Sequence, residues 1–306
     1  MELSSWFVII NPKAGNGNAL KQWPKIKMLL NASQFNFKFA FTEYKNHAAT
    51  LTTNAINEGF KNLICVGGDG TLHAIVNGLM LENTTESSLI TIGIIPIGTG
   101  NDWVKTYSIP TKIEDAIQRI KKKNKKSQDI GKIDFLHSKK QPLYFNNLAG
   151  IGFDGLVAKK TQKLKHFGKV SYLIAACQAL LTFKNFKVEV VLKNNHFTSK
   201  SLMILVGLCQ YSGGGMRLTN NPNPKDGLFD VTNVKDFNTW NFITNLHKLY
   251  NGKVHTVKKV KTFKTDMLII KRNLEKNKLY IQADGEVLEA ENIKISILKK
   301  AFSFYC

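Results

Sequence analysis

The sequence predicts an α/β unit followed by a β-rich one, and three observations carry that prediction. Over residues 1–133 short apolar runs end in glycine turns and lead into amphipathic stretches, the strand, turn, helix order of parallel βα units. From about residue 134 the rhythm changes to strand-like segments joined by turns, several alternating apolar with polar residues as half-buried antiparallel strands do. With 306 residues, and domains of roughly 100 to 200, there is room for two cores. The expected fold class is therefore α/β plus all-β: a parallel α/β domain over 1–133, then a β-sandwich or barrel-like domain over 134–290.

Taken in order, "SWFVII" leads into "NPKAGNG" and a helix from about Ala19, and "FKFAFT" into "HAATLTTNAINEG". "NLICVGG" leads into "TLHAIVNGLM", and "ITIGIIPIG" into "NDWVKTY". Parallel crossovers cover both faces of a sheet, so these strands are nearly continuous in apolar residues. Beyond the lysine run "KKKNKK" (121–126) come "PLYFNNLAGIGF", "FKVEVVL", "SLMILVGLC", "GLFDVTNV", "DMLIIKR", "KLYIQADGEVL" and "IKISIL", interrupted by helical segments near 171–183 and 239–250.

Composition narrows the function classes. No run reaches the roughly 18 apolar residues of a membrane-spanning helix, the longest candidate being "SYLIAACQALLTF" (171–183). The N-terminus has no basic region ahead of its apolar residues, which argues against a secretory signal and for a cytoplasmic protein. Cys65, Cys177, Cys209 and Cys306 are scattered, as free thiols in a reducing compartment would be. The net charge of +21 draws the chain toward an anionic partner. Only Arg119, Arg217 and Arg272 supply the guanidinium fork suited to base reading, so specific nucleic-acid recognition is not expected. Lysine runs at 121–126 and 159–165 suit the anionic inner leaflet of a membrane.

Ligands of open parallel sheets sit at the carboxyl ends of the strands, where the turns 11–17, 67–71 and 96–102 fall. Glycine lets backbone approach an anion, and a following helix offers unpaired N–H groups. The Walker pattern GxxxxGK[ST] is absent, which excludes an ordinary P-loop. Asp69 in "GGDGT" has three readings at this level: support for magnesium beside phosphates, acceptor of a hydroxyl proton, or N-cap of its own helix.

The series "NPKAGNG", "GGDGT", "PIGTGND", "NLAGIGFDG", "GGGM", "PKDGLFDV" and "QADGE" resembles the soluble diacylglycerol, sphingosine and ceramide kinases over nearly the whole chain. The resemblance implies ATP bound by Asn11, Pro12, Lys13, Ala14, Gly15, Thr42, Gly67, Gly68, Gly70, Thr71 and Thr99. It implies a catalytic magnesium held through water on Asp69, Asp102 and Asp129, and Glu286, with Asp284 beside it, as a second candidate proton acceptor alongside Asp69. It also implies a structural magnesium at Asp226 and Leu228, and a return of the last segment, about 291–306, to the first domain. The expected active site lies in the cleft between the domains, with a lipid substrate, a peripheral place on the inner membrane face, and an acyl pocket formed partly by the helix around 171–183. A homodimer stays open as the assembly. Lys105 departs from the pattern, standing where an arginine is common. Two rival readings are an NAD kinase, which shares "GGDGT", and a catalytically inactive lipid-binding regulator.

Overall fold

The computed structural model describes residues 5–82, 87–161, 171–180, 182–193, 195–245, 247–272, 279–289 and 291–306. The chain divides into two compact units, Met1–Gln128 with Lys300–Cys306, and Asp129–Lys299.

The first unit is built on four parallel strands, β1 (Trp6–Ile10), β2 (Phe37–Phe41), β3 (Asn62–Gly67) and β4 (Thr91–Pro96), in the spatial order β4-β3-β1-β2. The crossovers carry α1 (Asn18–Ala32), α2 (His47–Asn57) and α3 (Asp69–Leu81), and β4 is followed by α4 (Asp102–Thr106) and α5 (Ile113–Lys121). The central strands are buried along almost their whole length, whereas the edge strand β2 is not, which is why only β2 tolerates a lysine between its phenylalanines. Trp6, Val8, Ile10, Trp23, Ile64 and Ile95 belong to the core cluster on one face of this sheet.

The second unit is antiparallel. It contains β5 (Lys125–Phe135), which starts in the first unit, β6 (Leu143–Phe145), β7 (Leu148–Gly152), β8 (Phe186–Leu192), β9 (His196–Gly207), β10 (Phe229–Lys235), β11 (Val260–Thr265) and β12 (Met267–Arg272). They are followed by β13 (Tyr280–Ala283), β14 (Glu286–Glu289) and β15 (Ile293–Tyr305). Within this unit β14-β13-β7-β9-β8-β12-β15 run side by side, and β10 joins β9 to β11. The helices are α6 (Phe153–Thr161), α7 (Ser171–Leu180), α8 (Thr239–Asn245) and α9 (Lys248–Asn251). Ala175, Ala176 and Ala179 of α7 share a core cluster with Phe153, Leu205 and Phe242. That described face of α7 therefore packs into the core. Of the lysine run 159–165, residues 162–165 lie outside the described residues.

The last residues of β15 return to the first unit, with Ser303 and Phe304 paired parallel to Thr91 and Ile92 of β4. Tyr305 donates its hydroxyl to Asn62 Oδ1 at 2.6 Å, and Phe304 packs on Trp103 with ring centroids 4.8 Å apart.

Candidate active site

In the first unit the three glycine turns converge. Asn11 N–H donates to Val66 O and Ile97 N–H to Gly67 O, and Asn11 Nδ2 donates to Thr71 Oγ1 at 3.0 Å, so the first and third turns are each tied to the "GGDGT" turn. The second and third turns touch through their glycines: a Cβ on Gly98 would lie 2.6 Å from Gly68 Cα, and one on Gly68 would lie 2.9 Å from Gly98 Cα. Only glycine permits that approach. The first turn places Gly15, Asn16 and Gly17 consecutively at positive φ, and its Asn11 Oδ1 accepts the Lys13 N–H at 3.1 Å. Pro12 and Ala14 complete this turn, and Thr42 N–H donates to Ile10 O at the end of β2.

Asp69 does not cap its own helix, contrary to one reading of the sequence. It is the first residue of α3, and its carboxylate reaches across to α4, where Oδ2 accepts the Asp102 N–H and Oδ1 the Trp103 N–H, both at 3.1 Å. Charge at a helix start stabilises the amides that have no partner within the helix. A five-residue helix needs such anchoring, and it has a second anchor. Trp103, fully buried, donates its indole N–H to Gln128 Oε1 at 2.8 Å, and Tyr107 donates its hydroxyl to the same atom at 2.6 Å. Trp103, Gln128 and Asn101 were not assigned a role by the sequence alone.

With α4 fixed, Asp102 is buried and its Oδ1 accepts Lys105 Nζ at 2.8 Å. Lys105, which stands where an arginine is common, thus holds Asp102. The carboxylates of Asp69 and Asp102 both flank Gly100, where a Cβ would lie 3.1 Å from Asp69 Oδ2 and 3.6 Å from Asp102 Oδ2. Nearby, Asn101 Oδ1 is buried without a hydrogen-bond donor. Two carboxylates and a spare acceptor at a bare glycine turn suit magnesium, which takes one or two carboxylates and completes its shell with water and phosphate oxygens. Among the described residues no three acidic, histidine or cysteine side chains form a cage, so any such ion would rest on its ligand as well. Beside the turns lies a cavity of about 530 Å³, lined by Gly15, Asn18, Gln22, Thr99 and Asn101 among others. Of the residues expected to bind nucleotide, Gly15 and Thr99 line it, Asn11, Pro12, Lys13, Ala14, Gly67, Gly68, Gly70 and Thr71 belong to the first and second turns, and Thr42 follows β2. Cys65 lies buried in β3, and burial, with the Asp69 charge second, pushes its thiol far above the usual range.

The remaining candidate acids lie in the second unit. Asp284 and Gly285, at φ 48° and 89°, form the two-residue loop of the β13–β14 hairpin, in which Ala283 pairs with Glu286. Positive φ at both loop positions is what a type I′ turn demands. The Asp284 carboxylate accepts three backbone N–H groups, from Asn146 (2.7 Å), Asn147 (3.1 Å) and Leu148 (2.9 Å). Glu286 follows, half-buried. Asp129 is fully buried and holds the 224–227 loop: its N–H donates to Pro224 O and its Oδ2 accepts the Gly227 N–H at 2.8 Å.

That same loop does not fit the structural magnesium expected at Asp226 and Leu228. Asp226 Oδ1 accepts the Leu228 N–H, and Lys264 Nζ lies 3.0 Å from Asp226 Oδ2 and 3.4 Å from Asp230 Oδ2. Both Asp226 oxygens are thus engaged, and the ammonium supplies positive charge beside the two acids. The hydrogen bond to Asp226 holds the Lys264 proton more tightly than usual, while burial pushes Asp230 upward against the opposing pull of Lys264.

Residues 5–133 match the model of the diacylglycerol kinase catalytic domain, and residues 147–305 that of a C-terminal NAD kinase beta sandwich-like domain named for YegS. The chain belongs to the diacylglycerol kinase family. It is 32% identical over 301 residues to a Bacillus subtilis (strain 168) protein named "Putative lipid kinase YtlR", covering 94% of each chain. To a diacylglycerol kinase of Staphylococcus saprophyticus it is 30% identical over 233 residues, 76% of this kinase and 73% of that one. A crystal structure of a diacylglycerol kinase from Bacillus anthracis str. Sterne shares the fold, with a TM-score of 0.72 and 22% identity over 100% of this kinase and 97% of that chain. The chain is thus a phosphotransferase of a lipid kinase family, with a mixed α/β unit and a β-rich one.

Proposed function

We propose that the protein transfers the γ-phosphoryl group of ATP to a hydroxyl of a membrane lipid, diacylglycerol before sphingoid base or ceramide, at the cytoplasmic face of the membrane. The observation that carries the reading is the convergence of the glycine turns, in which Gly68 meets Gly98 and Asp69 fixes the start of α4 beside an open cavity. Phosphoryl transfer asks a protein mainly for positioning and for neutralisation of charge. The bare turns at Gly15, Gly68 and Thr99 accommodate the triphosphate, with N–H groups as donors. Asp69 and Asp102 would hold magnesium through water, and the ion when bound neutralises charge developing on the phosphoryl group. Both Asp69 oxygens are committed to α4, so Glu286 is the better acceptor for the proton of the attacking hydroxyl.

A second reading is favoured by the likeness of residues 147–305 to an NAD kinase-like sandwich. One experiment separates them: γ-labelled ATP offered with diacylglycerol, with ceramide or sphingoid base, and with NAD. Label is expected in diacylglycerol. Label in NAD alone would establish the second reading, and label in no acceptor would leave a lipid-binding protein without turnover.

A further inference from the structure

The α8–α9 segment presents its aromatic and aliphatic side chains in an unusual direction. Asn238 accepts the Asn241 N–H on its side chain at 2.8 Å, starting α8, and Phe242 turns inward onto Phe153 with centroids 5.5 Å apart. Leu249 packs against the same core from α9, while the Leu249 carbonyl accepts the Arg217 N–H. The segment is therefore anchored on its inner side. Its outer side carries Trp240, 75% exposed, with Ile243 at 55% and Tyr250 at 52%. Trp240 is the most exposed large apolar side chain among the described residues. A tryptophan left in water beside an isoleucine and a tyrosine forms a patch that soluble proteins normally cover.

The charge around the patch identifies the cover. From Phe237 to Thr265 the sequence holds six lysines and no aspartate or glutamate. Lys253 and Lys258 are exposed, and among the described residues neither they nor Lys248 has an acidic partner. Tryptophan and tyrosine suit the boundary where one end of the side chain is apolar and the other wet, and unpaired lysines suit anionic headgroups. A protein partner would be served by either feature. An exposed apolar tip within a stretch of six lysines and no acid, bounded by Asp236 and Asp266, fits an anionic lipid surface.

We propose that Trp240, Ile243 and Tyr250, with Lys248, Lys253 and Lys258, form the face by which this protein docks on an anionic bilayer. The proposal rests on the lipid-kinase reading, and two separate assays keep the failures apart. Docking is read without ATP, by co-sedimentation with phosphatidylcholine vesicles containing roughly one-third phosphatidylglycerol, against vesicles of phosphatidylcholine alone. Turnover is read with short-chain diacylglycerol in detergent micelles.

Trp240→Ser with Ile243→Ser is expected to weaken anionic-vesicle binding about tenfold or more and leave micellar turnover unchanged. The charge reversal Lys253→Glu with Lys258→Glu is expected to do the same by roughly tenfold, with an effect that fades as salt rises, while phosphatidylcholine vesicles bind the parent protein weakly. Unchanged vesicle binding in both variants would overturn the docking face while leaving the kinase reading intact. A dimer of the parent protein in sedimentation velocity that becomes monomeric on Trp240→Ser would overturn it too, by showing that a second copy covers the patch.

Discussion

Asp69 and Asp284 occupy similar phrases, "GGDGT" and "ADGE", yet the two units use them differently. Asp69 begins a helix and spends its carboxylate on the first amides of another, thirty-three residues away, leaving Asp102 and Gly100 beside it at a bare turn. Asp284 sits in the loop of a hairpin and gathers three consecutive amides at the start of β7, so its work is to hold the hairpin that carries Glu286. An aspartate next to glycine is in both cases a stitch between distant segments. What differs is the neighbour: a second carboxylate in one unit, a half-buried glutamate in the other.

The sharpest way to break this contrast is to remove the glutamate. Glu286→Gln should lower kcat by about 10²- to 10⁴-fold with an unchanged thermal midpoint, and a variant that keeps its activity would leave the second unit without a proton acceptor. Next come the two stitches themselves. Asp284→Ala strands three amides and should cost about 2–4 kcal/mol in denaturant titration, whereas Asp69→Asn keeps one acceptor and should cost about 1–2 kcal/mol while reducing turnover at least tenfold. Equal losses of stability and activity in both would erase the distinction.

A smaller effect is expected at the 224–230 loop. Lys264→Met removes the counter-charge of Asp230, a buried acid whose pKa is already raised by burial. An acid with a raised pKa costs stability as its proton is lost, so the variant's deficit, about 1–3 kcal/mol at pH 7, should shrink as the pH is lowered and Asp230 takes up its proton. Thermal melts across that pH range measure it, and the parent's melt without nucleotide should not move on addition of a chelator. The smallest effect is one of reactivity alone: under native conditions a thiol reagent should modify exposed Cys177 and spare Cys65, whose thiol is buried beside Asp69. Mass spectrometry of the labelled protein reports both sites.

Much of this architecture was legible in the residues. Continuous apolar runs ending at glycine turns are a local signal, and the first unit is made of them; alternation announced the second. The partners of the acids were not legible, because they depend on which segments meet. Nothing near Asp129 in the chain points to Gly227, ninety-eight positions on, and nothing near Asp226 points to Lys264. Likewise "TWNFITNL" reads as a short helix, but which of its aromatic residues faces inward is decided by Phe153, far upstream. Spacing finds the turns; only the folded chain finds what each carboxylate holds.

The contact between Gly68 and Gly98 has a consequence for the thermodynamics of nucleotide capture. Because the two corners already press backbone on backbone and α4 is already tethered, the proposed nucleotide site is preorganised and little chain has to be immobilised on binding. Calorimetry on this protein should accordingly record a heat-capacity change no larger than the apolar surface of the nucleotide itself accounts for, and rapid-mixing experiments a single second-order phase with no slow rearrangement behind it.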